Sequence, residues 1–268
     1  MHDLPLLLLI SSLSGLYTSA WGAYKDAPYE GFSALRFPRS ILASVGIAMF
    51  LYYGPFSIGD RFRSLPLFHV FLAVMGMERM VTEVHKACFR NSDQSKFLIP
   101  QRMTLLGKPV KSELLRFATG IVFLASIFSI PFLPQVITGL PSFVLIGFLT
   151  GMFICGGGAY KDAPFEGFDP SKFFRSAIVL ALASPFVYLL GPLELGFLIY
   201  SFGGLERLLV EYYKSYVMRS VPGKFRPELP RIEDWFFRSR SSLHVVALGL
   251  FALLATLYYT AFSAVHPH

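Results

Sequence analysis

Lys25, Asp26 and Glu30 place one cation and two carboxylates within six residues, and the chain contains this arrangement twice. Residues 22–32 (GAYKDAPYEGF) return at 158–168 (GAYKDAPFEGF), 136 positions on, with Tyr29 against Phe165 as the only difference. The second set is Lys161, Asp162 and Glu166. Two carboxylates four residues apart on a turn suit a hard cation or proton transfer. Asp26, Glu30, Asp162 and Glu166 are therefore candidate metal ligands, and Mg²⁺ is the cofactor that would fit them. The Lys, with Arg39 or Arg175 downstream, suits a phosphate. The competing expectation is structural, with these charges pairing among themselves to fix how helices meet.

A second charged set is also doubled. Glu78-Arg79-x-x-x-Glu83-x-x-Lys86 matches Glu206-Arg207-x-x-x-Glu211-x-x-Lys214 at an offset of 128. Arg79, Glu83 and Lys86 fall at i, i+4 and i+7 on one helical stripe, which can largely neutralise itself. Glu78 and Glu206 lie about 100° away from their Arg neighbours and one step deeper toward the apolar part, where an ionisable group faces a cavity or a partner. The candidate pathway or substrate residues are thus Lys25, Asp26, Glu30, Arg39, Glu78, Lys161, Asp162, Glu166, Arg175 and Glu206.

Local chemistry suggests how the motif is held. Pro28 disfavours helix at Ala27, which predicts that the first helix stops near Lys25-Asp26 and that the motif is a loop. Gly31 permits a turn, and Ser33 is a candidate cap for the next helix. In the second copy Asp169 caps and Pro170 takes the first helical position. Gly156-Gly157-Gly158 predicts close helix packing or an approachable backbone, with packing the favoured reading. No Walker, Rossmann or nucleophile-elbow pattern is present.

The surroundings are apolar. Hydrophobic residues make up 54% of the 268 and charged residues 15%, with a mean hydropathy of +0.54, which is the balance of a membrane protein. Apolar segments run at 4–24, 41–58, 66–77, 115–137, 141–158, 177–190, 192–205 and 243–265. The third, sixth and seventh reach a spanning length only with their flanks. Asp3 and the lack of a preceding Lys or Arg argue against a cleaved signal at the first. The charged junction at 59–66 separates the second and third spans, and by analogy the Gly191-Pro192 turn separates the sixth and seventh. The fold expected is all-α and polytopic, with about eight transmembrane helices in two tandem, parallel four-helix repeats, 1–139 and 140–268, related by a pseudo-two-fold axis along the membrane normal.

Basic residues set the orientation. The connections after spans one, three, five and seven carry 3, 7, 3 and 7 Lys plus Arg, with Arg116 at the edge of the fourth span counted in its connection and Arg79 and Arg207 counted in their helices, against 2, 0 and 0 after spans two, four and six. The odd connections belong in the cytoplasm and both termini outside. The net charge of +7 then reflects topology and attraction to anionic lipid headgroups, with no nucleic-acid partner called for. Cys88 and Cys155 lack neighbours at metal-ligand spacing, and no disulfide framework is expected. An oligomer is compatible with the sequence.

Three functions fit. A transporter or channel would use the doubled charges along the pseudo-two-fold axis. A divalent-metal-dependent enzyme acting on a phosphate-bearing lipid would use them at the cytoplasmic headgroup level. A structural or assembly subunit would use them only for packing. The symmetry favours the first, while the lack of an ionisable residue near mid-span argues against an ion-coupled carrier.

Overall fold

The computed structural model describes residues 1–30, 32–91, 94–95, 97–214 and 234–267, with backbone only for 25–30 and 234–244. Nine α-helices are present among the described residues: α1 (Leu4–Glu30), α2 (Arg39–Tyr52), α3 (Ile58–Ser64), α4 (Leu67–Val84), α5 (Glu113–Ser129), α6 (Leu140–Glu166), α7 (Pro170–Tyr188), α8 (Leu195–Tyr212) and α9 (Asp234–Val265). A π-helical turn, His85–Phe89, continues α4. The only sheet pairings described are two short antiparallel ladders, β1 (Thr104–Leu105) with β2 (Lys108–Pro109) and β3 (Val136–Ile137) with β4 (Leu193–Glu194). The all-α expectation holds.

Four helical segments are long and apolar enough to cross a membrane, Leu4–Tyr24, Glu113–Phe132, Leu140–Glu166 and Val245–Val265. The protein is therefore read as a membrane protein. The other long apolar stretches of the sequence are helical too, but shorter or more charged, with 14 residues in α2 and 18 each in α4 and α8. The charged junction expected as a loop folds instead as α3, because Asp60 in its first turn and Arg61 and Arg63 in its last complement the helix dipole.

Two helices, α4 and α8, form the centre. They run in the same direction and meet backbone to backbone, because glycine stands at both closest points. A Cβ on Gly76 would collide with the Tyr200 carbonyl oxygen, and one on Gly204 with that of Leu72. Just beyond this crossing Arg79 pairs with Glu206, and Arg207 with Glu78 at 2.7 Å. Positions 128 apart thus exchange partners across the contact. The expected self-neutralising stripe forms only in part: Lys86 pairs with Glu83 at 3.0 Å and Lys214 with Glu211 at 3.4 Å, while each Arg crosses to the other helix. Both crossing carboxylates are buried, and an unpaired charge there would be costly.

Around this centre α1 packs on α2, and α6 on α7. Gly15 sits against the backbone of Ser40 and Ile41, and Gly151 against that of Ser176 and Ala177, again the same contact 136 positions apart. His2 donates its backbone N–H to the Arg63 carbonyl, and the His266 ring lies 3.0 Å from the Leu189 carbonyl. Both residues lie at the α3 end of the bundle. The duplicated motifs lie at the opposite end.

The motif itself is helical, which corrects the loop expectation. In α6 Pro164 lies inside the last turn, where it forfeits one backbone donor. The helix stops at Gly167 instead, at φ 83°, whose N–H bonds to the Ala163 carbonyl. A proline this close to a C-terminus gives up one backbone bond and crowds the turn before it, but only two further helical residues have to follow the resulting displacement. Asp169 caps α7 as expected, accepting from the backbone N–H groups of Ser171 and Lys172. The Ser171 hydroxyl, with those N–H groups, holds its carboxyl below the usual range. Ser33 does not cap α2, since the chain makes a further turn and enters that helix through Pro38.

The crossing makes a direct prediction. Gly204→Val should cost at least about 1–3 kcal/mol of stability through backbone displacement. Gly46→Ala, within α2 and with a Cβ that meets nothing within 4 Å, should keep or raise the thermal unfolding midpoint of the purified chain. Equal midpoints for the two variants would refute this account of the α4–α8 contact.

Candidate functional site

The two sides of the central pair are not alike. On one side α1 packs along α9, and Trp21 fills the space between α1 and α8 by stacking on Tyr212, with ring centroids 4.9 Å apart. On the other side no comparable packing joins α5 to α6, and a cavity of about 1320 Å³ opens between them. The residue 136 positions after Trp21 is Gly157, and the one 128 before Tyr212 is Val84. Both line the cavity. An aromatic plug on one side is matched by a glycine and a valine on the other.

This reverses the expectation for Gly156-Gly157-Gly158. A Cβ on any of the three would meet nothing within 4 Å, so they are not packing glycines. Gly157 and Gly158 leave the wall of α6 bare beside the cavity. Gly151, one turn earlier, is the residue that packs.

The charged end of the cavity is built from both doubled motifs. Lys161, Asp162, Glu166, Arg175 and Glu206 all line it, with Arg79, Glu83, Lys86, Lys172 and Lys214. Most of these are paired: Arg79 with Glu206, Lys86 with Glu83, and Lys172 with Glu166 at 3.4 Å. The Ser176 hydroxyl donates to the second Glu206 oxygen at 2.6 Å. Lys161 and Arg175 have no carboxylate at ion-pair distance among the described residues. Lys161 reaches only the Gln101 amide oxygen, at 3.5 Å. The Nε of Arg175 is buried with no hydrogen-bond partner among the described residues.

The remaining expected residues go elsewhere. Glu78 is fully buried against Arg207 and does not line the cavity. Arg39 is exposed at the start of α2, near His85, whose imidazole is held below its ordinary pKa by burial and then by Arg39, Arg90 and Lys86. The side chains of Lys25, Asp26 and Glu30 lie outside the described residues. Asp162 and Glu166 share a helix wall, and Mg²⁺, which keeps most of its waters, asks for only one or two carboxylates. Among the described residues no three His, Cys, Asp or Glu side chains gather as a metal site.

Sequence reading missed the β1–β2 hairpin, which borders the charged end. The Leu106 N–H donates to the Tyr160 hydroxyl at 3.2 Å, and a Cβ on Gly107, at φ 78°, would press on Pro164. Leu-Gly between short polar-flanked runs was the available signal. Ser176 was also missed as a partner of Glu206, although it stands in the doubled segment 172–176.

The opposite end is tied together, first by an ion pair outside the cavity lining. Arg61 pairs with Glu194 at 2.5 Å and also donates to the Pro131 carbonyl at 3.2 Å. Gly196 lets α8 lie against the Ile130 carbonyl, and the Tyr200 hydroxyl donates to the Ile127 carbonyl. The cavity thus has a charged mouth and an apolar body, and its floor, lined by Ile130, Ile146 and Leu195, lies next to the Arg61–Glu194 pair, which does not itself line it.

Comparison with known proteins adds no likeness: no family model, no curated protein and no solved structure matches this chain.

Filling the cavity separates its role from its architecture. Gly157→Trp, which repeats the residue of the closed side, should keep or raise the thermal midpoint, since removing a helical glycine gains up to about 1 kcal/mol. The same variant should abolish whatever binding or flux the protein supports. A destabilised Gly157→Trp would show that the space around Gly157 is not free.

Proposed function

We propose that the protein is a multi-pass membrane transporter that takes its substrate into the α5–α6 cavity. In this reading eight helices span the bilayer as two tandem parallel repeats, 1–139 and 140–268. The motif end faces the cytoplasm and both termini lie outside, in keeping with the distribution of Lys and Arg. The observation that supports the proposal is the cavity itself, whose lining runs from the charged groups of the motif end to Ile130, Ile146 and Leu195, next to the Arg61–Glu194 pair. In this reading that pair is the closed gate of one half of an alternating-access cycle.

The pathway is off the axis. Glycine-mediated contact of α4 with α8 leaves no room for a shared central route, and Trp21 closes the first copy's side. Lys161, Asp162 and Arg175 are the groups that engage substrate, and the Arg79–Glu206 pair holds the wall behind them. Opening the floor requires Arg61 to release Glu194.

The metal-dependent lipid enzyme remains the second reading, because Asp162 and Glu166 present two carboxylates beside Lys161 at the cavity mouth. A structural or assembly role is the third.

Liposome experiments discriminate among these. Flux of the candidate solute should fall at least about tenfold in Asp162→Asn, a loss of roughly 1.4 kcal/mol in productive interaction, and change little in Asp26→Asn. Glu194→Gln should make flux leaky by loosening the floor. Phospholipid turnover by the unmodified protein, lost in Asp162→Asn, would replace transport with the enzymatic reading. Silence in both assays would leave the structural one.

A further inference from the structure

Three features of the cavity bear on what enters it. The first is its side. Phe123 on α5 and Leu149 and Phe153 on α6 line the cavity, yet are 50%, 55% and 75% exposed. Large apolar side chains exposed on both rims mark an opening toward lipid, not toward water. The second is its depth. Fifteen residues of α6 separate Lys161 at the charged end from Ile146 near the floor, about 22 Å at 1.5 Å per residue. That is about the thickness of one leaflet including its headgroups, half of the roughly 40–45 Å of a whole bilayer. The third is its size, about 1320 Å³, above the roughly 300–1,000 Å³ of ordinary small-molecule pockets.

Charge selects the headgroup. Lys161 and Arg175 are the cations there without a carboxylate partner among the described residues, and the Arg175 Nε is buried and unsatisfied. Both line the same cavity, and a planar guanidinium together with an ammonium suits a phosphate, which accepts two parallel hydrogen bonds from Arg and one from Lys. The bare backbone at Gly157 and Gly158 leaves room for a headgroup and glycerol beside α6.

We propose that the cavity binds a single anionic phospholipid, which enters sideways between α5 and α6, sets its phosphate against Lys161 and Arg175 and lays its acyl chains along Leu149, Phe153 and Ile199. This identification of the substrate class rests on the transport reading for movement of the lipid, but not for its binding.

The test is binding to the full chain in detergent, measured by native mass spectrometry and thermal shift. The probes are phosphatidate, phosphatidylcholine of the same acyl chains, and glycerol phosphate, which has the headgroup chemistry without the chains. Phosphatidate should bind and raise the midpoint, with phosphatidylcholine weaker by about tenfold or more. Lys161→Gln and Arg175→Gln should each weaken phosphatidate about tenfold. Ile199→Trp, which shortens the apolar body, should weaken long-chain more than short-chain phosphatidate.

Equal binding of phosphatidylcholine would overturn the proposal, as would glycerol phosphate matching phosphatidate, which would point to a free phosphate ester as the ligand. Should either cation variant fail to fold, Lys161→Arg provides the folded control and should retain phosphatidate binding; loss of binding there would also count against the phosphate contact. Lipid binding with no flux in liposomes would keep this inference and remove the transport reading. Flux of a hydrophilic solute with no lipid binding would do the reverse.

Discussion

The structure depends on one contact, the crossing of α4 and α8. Two parallel helices can approach this closely only where neither carries a side chain, and Gly76 and Gly204 provide that on both sides. Close approach then excludes water from the next turn, where each helix carries a Glu and an Arg. A carboxylate in such a place must be paired. Each Glu finds the Arg of the other helix, so the two ion pairs hold the register that the glycines make possible. A sliding of one helix by a single turn would strand both carboxylates, which makes the crossing specific as well as close.

Around this rigid centre the two flanks have gone separate ways. Trp21 against Tyr212 fills one side with two large rings, whose burial accounts for the close packing of α1 with α9. Gly157 and Val84 stand at the corresponding positions on the other side, where a volume remains. No rearrangement of the central pair is needed to explain the difference. Side-chain volume at two positions decides which flank is a wall and which is a chamber.

Much of this was legible beforehand and some was not, for physical reasons. Helical segments follow from the long apolar runs, and the doubled charges marked the end of the bundle where the cavity mouth lies. The proline rule failed at Ala163-Pro164, because restriction of the residue before a proline is a tendency that a nearly finished helix can absorb, and Gly167 is the better stop. Glycines 156–158 were read as packing because a small side chain permits either close contact or empty space, and composition alone does not say which. Ser176 and Gln101 acquire their roles only from residues 30 and 60 positions away. No local pattern carries information of that kind.

The near-identity of the two motifs sharpens what the motif is for. The near-identical motif ends α1 close to the Trp21–Tyr212 stack and α6 beside the cavity, so one helix ending serves two different surroundings. In the second copy it provides the helix ending, a lysine, two carboxylates and the Tyr160 hydroxyl that holds the β1–β2 hairpin in place. Beside these groups the preceding turn of α6 leaves the helix wall bare at Gly157 and Gly158, and Arg175 reaches the cavity from the next helix. The charged motif is common to both flanks; what differs is a stacked tryptophan at position 21 and a glycine lining the cavity at 157.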